Sequence, residues 1–457
     1  MKLGKLSLVA VMALGTSAYA LDNIKVNGEA KVWYQTSEFS GPAAGTGAGS
    51  ASEQDFFDHD TNSLAEVKLS FGATADLAQN LSAAVKATAL TTLGLENNLV
   101  GAVPAAKYNQ TTGTMDGGQL NDQAWAEVLN LKYATKDFDV AAGRMALQTP
   151  LCFTESWNVV DNTFEAVVAH GYFVPDTILA VAWVGKHNGV GLLGDPDGAT
   201  ATQTTGRGTT VAYGGKFTTF ATEGAYAVAA INKSLPGTTL QAWYYNVPQV
   251  ADAFWLQADA KVMGMVDLGI QYAGMMPKIS GTTADNAGYA AIASTLDVVK
   301  KDSDAFAIKA SVDVAGVNLY AAYSTVSDGT LGFANVATGD KSMLYTTLGS
   351  IYMDGEIAAA PDTDAWKIGA STKAIPGVTL SASYAEAETG ANTDALAAVA
   401  GASTLDTDFT AWDITAATKV GPVDLTAIYT SFDKDVKATD TSDKTTDTLR
   451  IIASLKF

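Results

Sequence analysis

The sequence predicts an all-β protein: a transmembrane antiparallel β-barrel of about 18 strands, with 16 strands as the alternative. Three observations support this prediction. The chain begins with an export signal, it ends on an aromatic residue inside an amphipathic strand, and it alternates apolar and polar residues over most of its 457 residues. In a membrane barrel, lipid-facing and lumen-facing residues alternate along each strand. We therefore expect short periplasmic turns and long extracellular loops.

The first twenty residues, MKLGKLSLVAVMALGTSAYA, have the three parts of a secretory signal peptide. Lys2 and Lys5 give a basic start, 6–14 form an apolar run, and the sequence Ala-Tyr-Ala at 18–20 has small residues where a signal peptidase cleaves. The apolar run is shorter than the roughly 20 residues of a membrane-spanning helix. We predict a signal peptide over 1–20 and a mature barrel over 21–457. A buried amphipathic helix is the alternative.

The C-terminal segment DTLRIIASLKF alternates with a period of two, and only Ile452 breaks the pattern. Such alternation is typical of a strand with one apolar face. A chain that ends on an aromatic residue within this kind of strand resembles the terminal strand of bacterial outer-membrane barrels. That resemblance implies that Phe457 belongs to the signal that the barrel-assembly machinery reads.

Composition excludes several classes of protein. There are 48 acidic and 28 basic side chains, a formal charge of −20, and loss of Lys2 and Lys5 with the signal peptide makes it −22. This acidic excess argues against nucleic-acid binding, which needs a basic surface. The single Cys152 has no partner for an internal disulfide, and we expect a small packing residue rather than a reactive thiol. No mature segment is apolar for 18 residues, so helical membrane spans are not expected. A soluble β-sandwich would also alternate, but it rarely needs so many consecutive strands.

Turn signals give the strand number. Tight turns rich in Gly, Pro, Asn and Asp separate alternating segments at 76–80, 134–138, 174–177, 233–238, 262–266, 314–317, 373–378 and 419–423. Longer polar segments lie between these hairpins, at 39–61, 91–121, 149–163, 188–222, 247–252, 277–303, 327–362, 389–407 and 434–444. Eight hairpins, a first strand at 24–37 and a last strand at 445–457 make about 18 strands, an even number as single-chain bacterial barrels have. A barrel of 16–18 strands encloses an aqueous channel.

The charged faces of the strands are predicted to line the lumen, because a charge on the lipid face costs about 2–4 kcal/mol at the bilayer midplane. The pore-lining candidates are Lys31, Lys68, Lys86, Lys261, Lys309, Lys367 and Arg450, with Glu29, Asp259 and Asp424 among them. For any single lysine, a solvated surface position is the alternative. Trp33 is an exception, because it lies on the charged face of the first strand. The predicted outward face carries Tyr34, Tyr133, Tyr323, Tyr384 and Tyr429, as an aromatic girdle would.

The stretch 138–168 carries a family resemblance. Its elements AGR, TPL and NTFEA resemble porins of the OprD type and the major outer-membrane proteins of Campylobacter-like bacteria, and the start MKLGKLSLVA is similar to the latter group. The resemblance implies an 18-stranded barrel, a homotrimer, and a third loop at 149–163 that folds into the lumen. It also implies that Glu155 and Asp161 are the charges of this loop.

By the same resemblance, Arg144 would lie on the wall beneath the third loop. Strict alternation instead places Arg144 on the face of Phe138, Val140 and Ala142, which is the lipid face. A bulge near Gly143 would turn Arg144 inward. A position above the hydrocarbon band is the alternative.

The sequence contains no motif of a known catalytic site: it has three His, no nucleophile elbow, no phosphate loop and no paired Cys ligands. We therefore predict that the protein is not an enzyme and needs no cofactor. One acidic cluster, EQDFFDHD, brings Asp55, Asp58 and Asp60 close together. Oxygen ligands at this spacing make a calcium site one interpretation and a solvated acidic loop the other.

These observations predict a general diffusion porin in the bacterial outer membrane, in contact with lipid and open to small hydrophilic solutes and ions. The long loops carry Asp328, Asp340, Asp354, Glu356 and Asp362 in one and Asp433, Asp435, Asp440 and Asp443 in another. A vestibule of one sign concentrates counter-ions, which predicts a cation preference. Two alternatives stay open: a surface adhesin or structural protein, and a substrate-specific channel with a basic ladder or an aromatic track along its lumen.

Overall fold

A computed structural model gives the fold of the chain. It describes residues 22–40, 55–57, 63–91, 93–94, 99–100, 108–109, 114–115, 123–189, 211, 215–221, 223–248, 250–278, 301–351, 354–391, 405–437 and 444–457. The predicted signal peptide lies outside these residues. So do Asp58 and Asp60 of the predicted calcium cluster, of which only Asp55 is described.

Eighteen long antiparallel strands close into a barrel, as predicted, and the 16-strand alternative is excluded. We number them β1 to β18 in chain order: Asp22–Ser40, Ser63–Ala78, Leu81–Thr91, Gln123–Ala134, Phe138–Met145, Phe164–Val174, Thr177–His187, Ala225–Asn232, Thr238–Val247, Ala251–Val262, Val266–Pro277, Ser303–Val314, Val317–Val326, Thr363–Thr372, Val378–Thr389, Thr407–Val420, Val423–Val436 and Lys444–Lys456. Each strand pairs with its neighbours in sequence, and β1 pairs with β18 to complete the ring.

Minor elements complete the described structure. A two-residue strand, Thr218–Thr219, pairs with the end of β7, and Tyr108–Asn109 pairs with Thr114–Met115 in a separate two-stranded sheet. One short helix, α1, spans Asp354–Ala358. Among the described residues, no helix is long and apolar enough to cross a membrane.

All eight predicted tight turns join consecutive strands at one end of the barrel, and the other nine connections leave from the opposite ends of the strands. The turn between β12 and β13 shows why these short sequences work. Ala315 and Gly316 both have positive φ values, 51° and 82°, the left-handed geometry that a two-residue hairpin turn requires. The tight ends correspond to the periplasmic side of outer-membrane barrels.

The outer face of the barrel is apolar. Large side chains exposed on it include Val32, Leu131, Val181, Leu256, Ile270, Ile308, Ile368, Ile414 and Ile451. Of the predicted girdle residues, Tyr133 and Tyr323 are exposed to 43% and 41%, and Tyr384 packs against Trp412 with ring centroids 4.5 Å apart. Hydrocarbon contact is the environment that such a surface requires.

The C-terminal residue is fixed to the first strand. The Phe457 amide donates to the Gly28 carbonyl at 3.0 Å, and the Gly28 amide donates back at 2.6 Å. The Phe457 ring covers Gly28 so closely that a Cβ atom there would lie 2.4 Å from Cε2 of the ring. The absence of a side chain at Gly28 therefore leaves the space that the Phe457 ring occupies.

Candidate constriction of the lumen

Two of the long connections lie inside the barrel. Loop 3 (146–163) joins β5 to β6, and loop 7 (327–362) joins β13 to β14. Leu151 and Cys152 of loop 3 and Phe333 and Leu344 of loop 7 belong to one buried apolar cluster. That cluster also contains inward-facing side chains of the wall, among them Trp243, Tyr245, Trp255, Ala273, Met275 and Ala307. The two loops thus cover the inner wall from β6 to β13.

The segment 341–350 of loop 7 crosses the strands of the wall. Its Met343 carbonyl accepts from Gln271 Nε2 of β11 at 2.9 Å, and its Thr347 carbonyl accepts from Lys367 Nζ of β14 at 2.8 Å. The Ser350 amide donates to Asp413 of β16. The side chains at 342, 344, 346 and 348 are buried against the wall, whereas those at 341, 343, 345 and 347 are partly exposed. Loop 7 therefore forms an inner lining with one face toward the free lumen.

Glu155 joins loop 3 to loop 7. Its side chain is 3% exposed, and its Oε1 accepts from Asn335 Nδ2 at 2.8 Å, from the Thr338 hydroxyl and from the Lys341 amide at 3.2 Å. Its Oε2 accepts from Trp157 Nε1 at 2.6 Å. The predicted pore charge of loop 3 is thus buried at the junction of the two loops.

The Asn335 side chain strengthens this junction by acting as a peptide group. Its Oδ1 accepts from the Phe153 amide at 3.2 Å, and its Nδ2 donates to the Phe153 carbonyl at 2.9 Å. Next to it, the Val336 amide donates to the Leu151 carbonyl at 3.0 Å. The two loops therefore associate through backbone-like hydrogen bonds, which hold them in a single register.

A column of alternating aromatic and cationic side chains connects this junction to the barrel wall. Arg450 of β18 is 1% exposed, and its Cζ lies 4.7 Å from the Trp33 ring centroid and 5.3 Å from that of Trp157. Its guanidinium donates to Gln35 Oε1 at 2.7 and 3.1 Å and to the Trp157 carbonyl at 3.1 Å. Lys341 Nζ lies 5.4 Å from the Trp157 centroid. Arg450, a predicted pore residue, thus holds the tip of loop 3 in place.

The wall opposite loop 7 carries three predicted lysines, which meet three carboxylates. Lys68 Nζ lies 2.5 Å from Glu29 Oε2, and Lys86 Nζ lies 2.6 Å from Glu127 Oε1. Lys31 is the register partner of Lys68 across β1 and β2. Asp161 of loop 3 interacts electrostatically with both Lys31 and Lys86. One oxygen of this carboxylate, Oδ1, is buried and accepts no hydrogen bond in the described part of the chain. The formal charges of these six side chains cancel.

Lys309 belongs to a second charged group beneath loop 7. Its Nζ lies 2.7 Å from Asp259 Oδ1, which also accepts from the Tyr345 hydroxyl at 3.0 Å. Burial and the nearby Asp259 carboxylate raise the pKa of Tyr345, so the phenol stays protonated and remains a donor. Gly269 makes room for this group, because a Cβ there would lie 2.5 Å from Lys309 Cε.

Lys261 and Asp424 lie at the tight-turn end. Lys261 Nζ is 3.1 Å from Asp267, and Lys419 Nζ is 3.2 Å from Asp424. All four side chains are more than two-fifths exposed. They therefore belong to the periplasmic mouth and not to the narrow part of the lumen.

Arg144 has the outward position that alternation gives it, so its predicted place in the lumen is corrected. It is the register partner of Leu129, which is 56% exposed on the outer face. Its Nε donates to Glu165 Oε1 at 3.0 Å, and its Cζ lies 4.1 Å from the Phe217 ring centroid. The ladder continues through Gly143 without a shift in register.

A bulge does exist, on the neighbouring strand. The β3–β4 register shifts between Lys86 and Ala87, so that Glu127 is the extra residue of β4. Its carboxylate is 2% exposed and accepts from Lys86 Nζ and the Thr88 hydroxyl. Sequence alternation did not identify Glu127, because a bulge removes a residue from the period-two count. The only local sign of the bulge in the sequence is the charged Glu at 127 followed by the apolar Val at 128.

Loop 7 was also missed as a component of the constriction. Sequence reasoning identified it by its acidic residues alone. Its large apolar residues, Leu331, Phe333, Val336, Met343, Leu344, Leu348 and Ile351, were the available signal. A solvated loop has no use for so many, whereas a loop packed inside a barrel buries them.

Comparison with known proteins finds no matching family model and no matching curated protein. Solved structures do match. Pseudomonas aeruginosa OccK8 (OprE) superposes with a TM-score of 0.65 at 14% identity, covering 95% of this chain and 98% of that one. P. aeruginosa OccK1 (OpdK) gives 0.64 at 11%, covering 96% and 99%. Acinetobacter baumannii OccAB2 gives 0.60 at 14%, covering 95% and 98%.

These neighbours are outer-membrane porins of the OprD/Occ type, and porins are channels, not enzymes. The resemblance that the 138–168 motif indicated is thus confirmed for the fold. The predicted location in a Gram-negative outer membrane agrees with these neighbours and with a large closed barrel. The chain has the 18-stranded fold of the OprD-type outer-membrane porins.

Proposed function

We propose that the protein is a passive diffusion channel that admits small hydrophilic solutes and ions across the outer membrane. The observation that carries this proposal is the lumen itself. A barrel of 18 strands has a lumen wide enough for water. Here two inward loops narrow that lumen, next to a wall of paired charges. No part of this arrangement requires an energy source.

A preference for cations is part of the proposal. The charges of the inner wall largely cancel, so the excess of the long loops decides the field that an entering ion meets. Asp362 lies at the end of loop 7. Burial and the neighbouring carboxylates Asp328, Asp364 and Asp406 raise its pKa, although Lys301 opposes the shift. Carboxylates this close together produce a negative potential at the extracellular mouth.

Selection among organic solutes is the second candidate, and the junction of loops 3 and 7 favours it. A general pore needs only a gap, whereas these loops are held by specific hydrogen bonds and by the column that ends at Arg450. One matching structure is that of P. aeruginosa OpdK with vanillate, which contains a small aromatic carboxylate. We propose aromatic carboxylates as the first organic probes for this channel.

The remaining partners are also proposed. The apolar outer face suits lipid and the subunits of a homotrimer, and the Phe457 terminus suits recognition by the barrel-assembly machinery. Native mass spectrometry of detergent-extracted protein would test the trimer. A single mass of one chain would reject it.

The deciding experiment is single-channel recording with refolded protein in a planar lipid bilayer under a potassium chloride gradient. We expect discrete conductance steps and a reversal potential on the potassium side. A chloride-side potential would reject the cation preference. Micromolar to millimolar vanillate that reduces the step size would support solute selection. A folded barrel without conductance would reject the channel and favour a surface or structural role.

A further inference from the structure

We infer that Glu155 is a positioning residue, a buried latch that holds loop 3 against loop 7, and that Asp161 is the loop 3 carboxylate that determines ion selectivity. The two residues are six positions apart on one loop and carry the same charge. The structure places them in different environments. The inference rests on the proposed channel function and assigns separate roles within it.

The case for Glu155 is its set of donors. Four donors converge on its two oxygens: Trp157 from loop 3, and Asn335, Thr338 and the Lys341 amide from loop 7. The carboxylate is 3% exposed, so passing ions meet little of it. Its negatively charged oxygens accept the hydrogen bonds that join the two loops. A buried acceptor with several donors strongly favours one loop arrangement, since the separated loops would leave those donors unpaired.

The case for Asp161 is the opposite. Its side chain is partly exposed, although its Oδ1 is buried and accepts no hydrogen bond in the described part of the chain, and its charged neighbours include Lys31 and Lys86. Glu29 pairs with Lys68 and also acts on Lys31, and Glu127 pairs with Lys86, so Asp161 is the third carboxylate beside three lysines. Removing this charge leaves a net positive wall beside the conduction path. Such a wall attracts anions.

The test compares two isosteric substitutions, Glu155→Gln and Asp161→Asn, in single-channel recordings. For Glu155→Gln we expect step-like current fluctuations to become roughly 5- to 30-fold more frequent, because one or more buried hydrogen bonds are lost. We expect its reversal potential to stay unchanged. For Asp161→Asn we expect the reverse: a shift of the reversal potential toward chloride without added fluctuations. A Glu155→Gln channel that shifts its reversal potential like Asp161→Asn, without fluctuating, would overturn the assignment.

Thr338→Val tests whether the latch acts as one unit. If Thr338 acts through Glu155, the double variant should fluctuate no more than Glu155→Gln alone, within about twofold. Multiplied effects would mean independent roles and would contradict the latch. Heat-dependent migration in gels confirms that each barrel is folded.

Limited proteolysis separates failure of the latch from failure of the channel function. Folded Glu155→Gln barrels should be cleaved in loop 3 or loop 7 at least fivefold faster than wild type. This readout requires no conductance. Equal cleavage rates would reject the latch even in a conducting protein, whereas faster cleavage in a silent barrel would reject only the channel.

Discussion

Trp33 and Ile452 are register partners across the strand pair that closes the barrel, and both face inward beneath loop 3. Trp33 is fully buried with Val159 and Val160 of loop 3, and Ile452 packs against the same cluster. Two apolar residues on a polar wall thus form an apolar floor, Trp33 and Ile452, against which the part of loop 3 that leads back to β6 packs.

Replacing Trp33 with alanine should loosen loop 3 without opening the barrel. The substitution removes a large buried side chain, a change that costs about 3–5 kcal/mol at a fully packed site. Since the lost contacts include those with Val159 and Val160 of loop 3, we expect part of the cost to appear there as local opening. Faster proteolysis within 146–163 of the folded barrel would show this. Ile452→Val, which removes one methylene, is the matched control and should have a small effect. Unchanged cleavage in Trp33→Ala would show that the floor is dispensable.

The Cys152 thiol should be unreactive in the folded protein. Burial raises the pKa of this thiol far above its ordinary value, so the nucleophilic thiolate is scarce at neutral pH. We expect negligible labelling by a maleimide at pH 7.5 and rapid labelling after unfolding. Ser156→Cys in a Cys152→Ser background is the control, because position 156 is exposed on the same loop. Rapid modification of native Cys152 would contradict its buried position.

The same shift predicts a pH dependence of loop 3. A group whose pKa is raised in the folded state contributes stability fully below its unfolded pKa, about 8.5 for a thiol, and loses it as pH rises above that value. Alkaline pH should therefore weaken the wild-type loop more than the Cys152→Ser loop. Proteolysis at pH 7 and pH 10 measures the difference, and parallel profiles would count against it.

Glu127→Gln should move ion selectivity toward anions. The substitution keeps the shape of the bulged residue but removes the charge that pairs with Lys86. Lys86 is about one quarter exposed, so its uncompensated charge reaches the lumen. We expect a reversal-potential shift toward chloride. Glu223→Gln, at an exposed position outside the lumen wall, should leave the potential unchanged. Equal potentials for wild type and Glu127→Gln would mean that ions do not pass this wall.

Gly28→Val should displace the Phe457 ring from its position against β1. A side chain at position 28 would occupy the place of the Phe457 ring, and overpacking typically costs about 1–3 kcal/mol. We expect a smaller heat-modifiable fraction of protein in the outer membrane. Phe457→Leu tests the ring from the other side and should have a similar effect. Normal assembly of both variants would show that the contact between Gly28 and Phe457 is not part of the assembly signal.

The strands were predictable because their chemistry is repeated. Alternation and turn residues gave all eight hairpins, since each strand has the same two environments along its length. Two of the exceptions to alternation, Trp33 and Ile452, also carried information. Each is an apolar residue facing inward, and together they mark the place where a loop covers the wall.

The constriction was less predictable, because its contacts join residues far apart in sequence. Glu155 was identified as a loop charge, but its burial depends on Asn335 and Thr338, which are 180 and 183 positions away. The inward turn of Glu127 depends on a bulge, which no period-two pattern records. Arg144 could be placed once the register showed no shift at Gly143.

The pairing of β1 with β18 has a consequence for biogenesis. The strand that closes the ring, β18, is synthesised after β1, its partner. Until β18 is in place, one edge of β1 has no neighbour and is open to pairing with other chains. Charged side chains at Lys25, Glu29 and Lys31 make that waiting edge a poor template for aggregation. A chain truncated before β18 would therefore leave the backbone donors and acceptors of this edge of β1 unpaired.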